Sequence, residues 1–372
     1  MLRMIRDPNK VEAYLQIIEG QGVLQGRFNN VRRINPEGGG GVFSLVCLAT
    51  DMQTGEEVVL KFFNPDFYTP TDLYRWESFR RESTLLGQLT GSRDIITLIS
   101  GHAEFVYRPV PTLPLEWKFA YYAVEKALGS LEDVIALKSW TVIDCLKGFR
   151  VAVRAVQRIH LRHIFHRDLK PGNFLLTTQG LKLSDFGTAR ALTAEGEVLR
   201  DAYIHPPGDR RYVAPEMMAC LHDVDASYAF AGDFFALGAI LFEMFTGTNL
   251  GVKIFGPQLL SSLTLPMSTV PRQDRVKIFH QIIGPIASRY PLPAIETLNP
   301  QLLPCVRDRL NDLYRGLCAL DHRQRTQDFN SVFRSIDTCL LIIENETHYL
   351  SWLREKQKRR AVRLAKKNGV AK

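Results

Sequence analysis

The block His166-Arg167-Asp168-Leu169-Lys170-Pro171-Gly172-Asn173 crowds polar side chains into eight positions and runs directly into the apolar Phe174-Leu175-Leu176. Packing alone does not call for such a block. Asp168 can accept the proton of an incoming hydroxyl, Lys170 can neutralise charge on a moving phosphoryl group, and Asn173 can offer an amide oxygen to magnesium. Twelve residues past Asn173 stands Asp185-Phe186-Gly187, whose carboxylate is a second hard oxygen ligand. Two such ligands suit magnesium, which keeps several waters and takes further partners from phosphates. Upstream, Lys61 closes the apolar run Val58-Val59-Leu60. A buried ammonium there needs an anionic partner. Fifteen residues before Lys61 ends the stretch Gly38-Gly39-Gly40-Gly41-Val42-Phe43-Ser44-Leu45-Val46, where missing Cβ atoms let backbone amides approach phosphate oxygens. Taken alone this stretch is equally a plain hairpin turn; Lys61 tips the reading toward phosphate.

These stations need elements to hold them. Phe28, Val31 and Ile34 lead into the glycine run, and Leu45–Leu48 and Val58–Leu60 flank the polar turn Asp51–Glu57, which predicts three strands. Leu73, Trp76, Phe79, Leu85, Leu86 and Leu89 predict a helix over 72–89. Strands are expected again at Ile95–Ile99 and Tyr121–Val124. Pro109, Pro111 and Pro114 force a turn or loop between them, because proline lacks a ladder donor. Beyond residue 126 the pattern is helical, with long helices expected at 144–161, 231–245, 307–320 and 329–350. Six prolines between 250 and 300 predict an irregular stretch. The expectation is an α+β chain with a small β-rich lobe ahead of a larger α-helical one.

The motif set resembles that of eukaryotic-type protein kinases, serine/threonine-like, from about Phe28 to about Leu341. The resemblance implies the bilobal protein-kinase fold and ATP- and Mg2+-dependent transfer of the γ-phosphoryl group to Ser/Thr hydroxyls of proteins, with autophosphorylation. It makes Gly39, Gly41 and Ser44 the phosphate-covering positions and Val46 the roof of the adenine slot, with Val59 lining it. Lys61 would hold the α- and β-phosphates and pair with Glu82, for which Glu77 is the competing partner. Val124 resembles the gatekeeper, the backbone of Glu125 and Ala127 would read the adenine edge, and Leu175 would floor the pocket. Asp168 and Lys170 take the catalytic roles, and Asn173 and Asp185 the metal. Glu216 of Ala214-Pro-Glu resembles the residue that pairs with Arg325, and Asp233 the one that ties down the catalytic loop. A pseudokinase scaffold that binds nucleotide and partners is the alternative implied by the same fold.

Three positions depart from the family pattern. Ser44 replaces a glycine, Val59 stands where alanine is usual, and Asp209 in Gly208-Asp-Arg-Arg-Tyr212 replaces a threonine that bridges the catalytic aspartate and lysine. Asp209 is expected to bond Lys170 instead, putting a second carboxylate near Asp168. Thr188, Thr193 and Tyr203 are candidate phosphorylation sites, with Arg167 and Arg190 as collectors of the phosphate. The repeat His160, His163, His166 lacks the carboxylate pattern of a metal site.

Composition sets the frame. The chain has 372 residues, 45% of them hydrophobic, ample for a core. Its runs Ala236–Phe245 and Cys339–Ile343 fall short of the roughly 20 residues of a membrane span. Six scattered cysteines without a C-x-x-C pair fit reduced thiols and a cytoplasmic setting, with the basic tail as the one pointer to a nucleus. The formal charge of +8 is matched by Arg354–Lys372 alone, with nine Lys/Arg against one Glu. That tail is a candidate for an anionic partner: nucleic acid, membrane surface or acidic protein. The expected division is an N-terminal extension (1–26), small lobe (27–125), large lobe (126–345) and basic tail (346–372).

Overall fold

The structure is a computed structural model that describes residues 8–34, 44–64, 71–110, 112, 115–192, 208–221, 225–256, 259, 261, 263, 267, 269–295 and 302–367. Its first part is a six-stranded antiparallel sheet in the order β1-β2-β3-β4-β6-β5, with β1 Val23–Leu24, β2 Phe28–Arg33, β3 Ser44–Asp51, β4 Glu57–Phe63, β5 Leu98–Tyr107 and β6 Trp117–Glu125. The two-residue period of a strand assigns the faces. Leu45, Cys47, Ala49, Val58, Leu60 and Phe62 are buried on one side, and Val46, Val59 and Lys61 look toward the other. In register, Val46 sits opposite Lys61 and Val59 opposite Val124.

The helix α1 Pro8–Glu19 covers the outer face. Leu15 and Ile18 are buried with Phe28, Val31 and Tyr121, worth about 2 kcal/mol per side chain. Arg33 Nη1 donates to Glu12 (2.8 Å) and its Nη2 to Glu19 (2.8 Å), while the Tyr14 ring packs on Phe119. Leu15, Ile18 and Leu24 thus pack into the core of the small lobe. The expected strand at 95–99 begins only at Leu98. Before it, Ile96 N donates to Leu183 O and Leu183 N to Asp94 O, both at 2.9 Å. The buried Asp94 carboxylate is gripped by Arg154 and Arg158 of the large lobe, so this loop is committed to the lobe boundary.

Helix α2 Thr71–Gln88 lies against the sheet's inner face. The large lobe begins with β7 Gly129–Ser130, α3 Leu131–Leu137 and α4 Val142–His160. Capping boxes Ser130/Asp133 and Thr141/Asp144 start both helices, which is why α4 opens two residues before the periodicity predicts. Short strands β8 Ile164–Phe165, β9 Phe174–Thr177, β10 Gly180–Leu183 and β11 Arg190–Ala191 carry the polar stations. Then come α5 Pro215–Met218, α6 Ala226–Thr246, α7 Leu250–Ile254, α8 Arg275–Arg289, α9 Pro304–Leu317, α10 Phe329–Glu344 and α11 Glu346–Lys367. The supposedly irregular 250–300 thus contains α7 and α8, with Pro285 inside α8. Pro304 at the first turn starts α9 earlier than expected. The single helix predicted over 329–350 breaks at Asn345.

Helix α6 is apolar nearly all round and buries most of its residues as the axis of the large lobe. By length and composition it is the one helix among the described residues that reaches the span of a membrane, against the expectation, and 78% of its most apolar window is buried inside the protein.

Candidate active site

The polar stations converge on the crevice between the lobes. The loop after β8 is fixed from below by Asp233 of α6, whose carboxylate accepts the N–H of His166 (2.8 Å) and of Arg167 (3.0 Å) and also meets His160 Nε2 (2.9 Å). Two bonds to consecutive amides hold Arg167 at φ +67°, which turns Asp168 toward the crevice. His166 packs edge-on against Phe186, completely buried, and its Nε2 lies 3.0 Å from Ser184 O.

Both oxygens of Asp168 are engaged. Lys170 Nζ donates to Oδ2 (2.9 Å) and the backbone N–H of Asp209 to Oδ1 (2.9 Å). Asn173 Nδ2 donates to the Asp168 carbonyl (2.7 Å). The expected bond between Asp209 and Lys170 is not made. Asp209's carboxylate is taken by Arg211, through Nη2 at 2.7 Å and the backbone N–H at 2.9 Å, because the latter lies only two residues along the turn. What replaces the family's threonine is therefore a main-chain donor. Gly208 makes the approach possible: at φ +94°, a Cβ there would sit 2.4 Å from the Arg167 carbonyl.

Lys61 Nζ reaches Glu82 Oε1 on α2 at 2.7 Å, whereas Glu77 is exposed on another face. Asp185, at φ +62°, enters the same hollow of about 230 Å³, lined also by Ser44, Val46, Lys61, Glu82 and Asn173. Burial opposes ionisation of Asp185, but Lys61 and Lys170 outweigh it and hold its carboxyl below the ordinary carboxylate range. Burial raises Asp168 above that range, Lys170 only partly countering it. The Lys61 ammonium is kept protonated: burial works against it, and Glu82 and Asp185 overcome the penalty. The donor set fits a hard divalent cation. Asn173 spends its NH2 on the backbone, no donor among the described residues engages its Oδ1, and Asp185 is a carboxylate held ionised.

The other residues named from sequence fall around this hollow or outside the described chain. Gly39 and Gly41 lie outside the described residues, as do Thr193 and Tyr203. Ser44 is buried at the start of β3. Val59 and Leu175 are half-buried against the large core, Val124 is buried in β6, and Glu125 and Ala127 follow it in the connection between the lobes. Thr188 Oγ1 donates to His166 O (3.0 Å), and Arg167 Nε to Thr188 O (2.7 Å).

Three contributors escape the sequence motifs. Ser78 and Arg81 of α2 both donate to the Gly187 carbonyl, Arg81 Nη1 at 2.8 Å. Helix-face arithmetic finds Ser78 four residues before Glu82, and Arg81 three residues after Ser78. The third is Lys182, 2% exposed, whose Nζ donates to Glu125 Oε1 (2.7 Å), Gln179 Oε1 (3.0 Å) and Thr97 Oγ1 (3.3 Å). Thr97 N also donates to Glu125 Oε1 (2.6 Å). The inter-lobe connection is thus pinned through a side chain whose burial no local pattern announces. Lys182→Met should cost about 1–3 kcal/mol in urea unfolding, since it strands a half-buried carboxylate. Pairing it with Glu125→Gln should recover part of that loss; strict additivity would mean the two groups are not coupled.

The geometry has counterparts among known proteins. A family model described as protein kinase domain matches residues 33–334. The chain is 31% identical over 235 residues to the mitosis inhibitor protein kinase of Saccharomyces cerevisiae, covering 59% of this chain and 25% of that protein. It is 31% identical over 217 residues to the human phosphorylase b kinase gamma catalytic chain, liver/testis isoform, covering 56% and 49%. A serine/threonine-protein kinase of Corynebacterium glutamicum is 31% identical over 217 residues, covering 56% and 41%. The chain spans about a quarter to a half of the length of these relatives.

Proposed function

The chain belongs to the protein kinase family, and from that premise we propose that it is an active enzyme transferring the γ-phosphoryl group of ATP to serine and threonine hydroxyls of proteins, itself included. The observation that carries this reading is the convergence of Lys61, Glu82, Asn173 and Asp185 on one hollow, with the Asp168–Lys170 pair joined to it through Asn173. Lys61, oriented by Glu82, holds the α- and β-phosphates. Asp168, itself positioned by the Asp209 amide and Lys170, orients the acceptor hydroxyl and receives its proton, while Lys170 offsets negative charge on the moving group. Asn173 and Asp185 would hold magnesium, which when bound neutralises phosphate charge. Positioning plus electrostatics of this kind accounts for most of the acceleration such transfers need.

A scaffold without transfer is the poorer reading, since none of the positions that do chemistry is substituted. Serine and threonine are favoured over tyrosine because Lys170 stands two residues after Asp168, where the resemblance gives tyrosine kinases alanine or arginine. The exposed, basic α11 is a candidate contact for an acidic partner, and free cysteines suit a cytoplasmic setting. The deciding experiment incubates purified protein with γ-labelled ATP, magnesium and peptide pools that differ only in carrying Ser, Thr or Tyr. Label on the Ser and Thr pools is expected; label confined to the Tyr pool, or to no protein at all, overturns the reading.

A further inference from the structure

In the large lobe, α3, the start of α4, the end of α6 and α10 line a partly open cavity of about 540 Å³ that shares no lining residue with the nucleotide hollow. Its volume is in the range of small-molecule sites. The wall is built from Leu131, Val134, Trp140, Cys145, Phe245 and Ile343, among others. Several of these, Trp140, Cys145 and Ile343 included, are only half-buried although they sit against the core. Trp140 is seated against Gly148 of α4, where a Cβ would meet the indole at 2.1 Å.

Polar groups are scarce in this wall, which bears on what can occupy it. Thr141 spends its hydroxyl on Asp144, donating to Oδ2 (2.6 Å) and accepting from the backbone N–H (3.2 Å). Lys138 is the one ionised side chain among the lining residues, it is exposed in the left-handed turn that ends α3, and no partner engages its ammonium among the described residues. We propose that the cavity binds a long-chain monocarboxylate: the aliphatic chain lies against the apolar wall, and the carboxylate faces the Lys138 ammonium. The site is separate from the crevice chemistry and does not depend on it.

The probe is ω-brominated dodecanoate below its micelle concentration, read by quenching of Trp140 fluorescence in the full chain. Saturable quenching is expected, absent in Trp140→Phe and unaffected by added ATP and magnesium. Dodecanoate should displace the probe better than decanoate, by about fourfold per methylene. Lys138→Gln should weaken dodecanoate about threefold, as fits an exposed ion pair, and leave dodecanol unchanged. Gly148→Ala, whose Cβ displaces the indole from its seat on α4, should weaken binding at least tenfold. Should that variant fail to fold, as judged by circular dichroism, the chain-length series and the Lys138→Gln comparison decide alone. Absence of saturable quenching, a flat chain-length dependence, or displacement by nucleotide overturns the site. Equal binding of acid and alcohol to the native chain overturns the assignment of the carboxylate to Lys138.

Discussion

Asp185→Asn is expected to lower kcat/KM for phosphoryl transfer by about a thousandfold while leaving the protein folded. Asparagine keeps the volume and tolerates the left-handed backbone at φ +62°. What it removes is the one carboxylate among the described residues whose charge acts on both Lys61 and Lys170. Those two ammonium groups are then opposed by Glu82, Asp168 and Asp209 among the described residues, and the candidate cation site falls to amide oxygens, which bind a hard divalent ion poorly. The readouts are steady-state turnover over a magnesium titration and nucleotide binding without metal. Turnover within tenfold of the native chain would remove Asp185 from the machinery. Loss of metal-free nucleotide binding would point to collapse of the hollow instead.

Arg325→Met should reduce the free energy of unfolding by about 3–5 kcal/mol. Arg325 and Glu216 have fully buried side chains, joined by two bonds of which Nη2–Oε2 measures 3.1 Å. The guanidinium also donates to Ala231 O (2.8 Å) and Ala319 O (2.9 Å), tying α5 to α6 and to the end of α9. Removing it leaves a carboxylate in the interior with no counter-charge and deprives the Ala319 carbonyl, which follows α9, of its guanidinium donor. The loss is read as a shift of the urea midpoint. Converting Glu216 to Met as well should restore part of it, since an uncharged pair no longer pays the desolvation of a lone ion. A single variant within 1 kcal/mol of the native chain would mean that solvent reaches Glu216 in the folded state.

How much of this is visible in the chain itself depends on whether the information is local. The alternation of β3 and β4 assigns Lys61 and Val46 to one face without coordinates, and the four-residue steps of α2 bring Glu82 round to meet Lys61. The density of polar groups from His166 to Asn173 marks the loop, because no packing requirement produces it. The failures have a common physical origin in long-range contacts. Whether Asp209 meets Lys170 or Arg211 is decided by a turn that only Gly208 allows, and Lys182 is buried because Glu125 and Thr97 come to it from the other lobe. Boundaries shift for similar reasons. Ile95 and Ile96 have the composition of a strand, yet Asp94 is bound to Arg154 and Arg158, so their pairing goes across the lobes.

The contact between Arg33 and the two glutamates of α1 bears on where the folding unit starts. The stretch shared with relatives opens at residue 33, which is the very arginine that two upstream acids already hold in place. Recognisable ancestry and physical integrity thus have different edges in this chain. The first helix, though invisible to the family comparison, forms one wall of the sandwich in which the shared sheet is the filling.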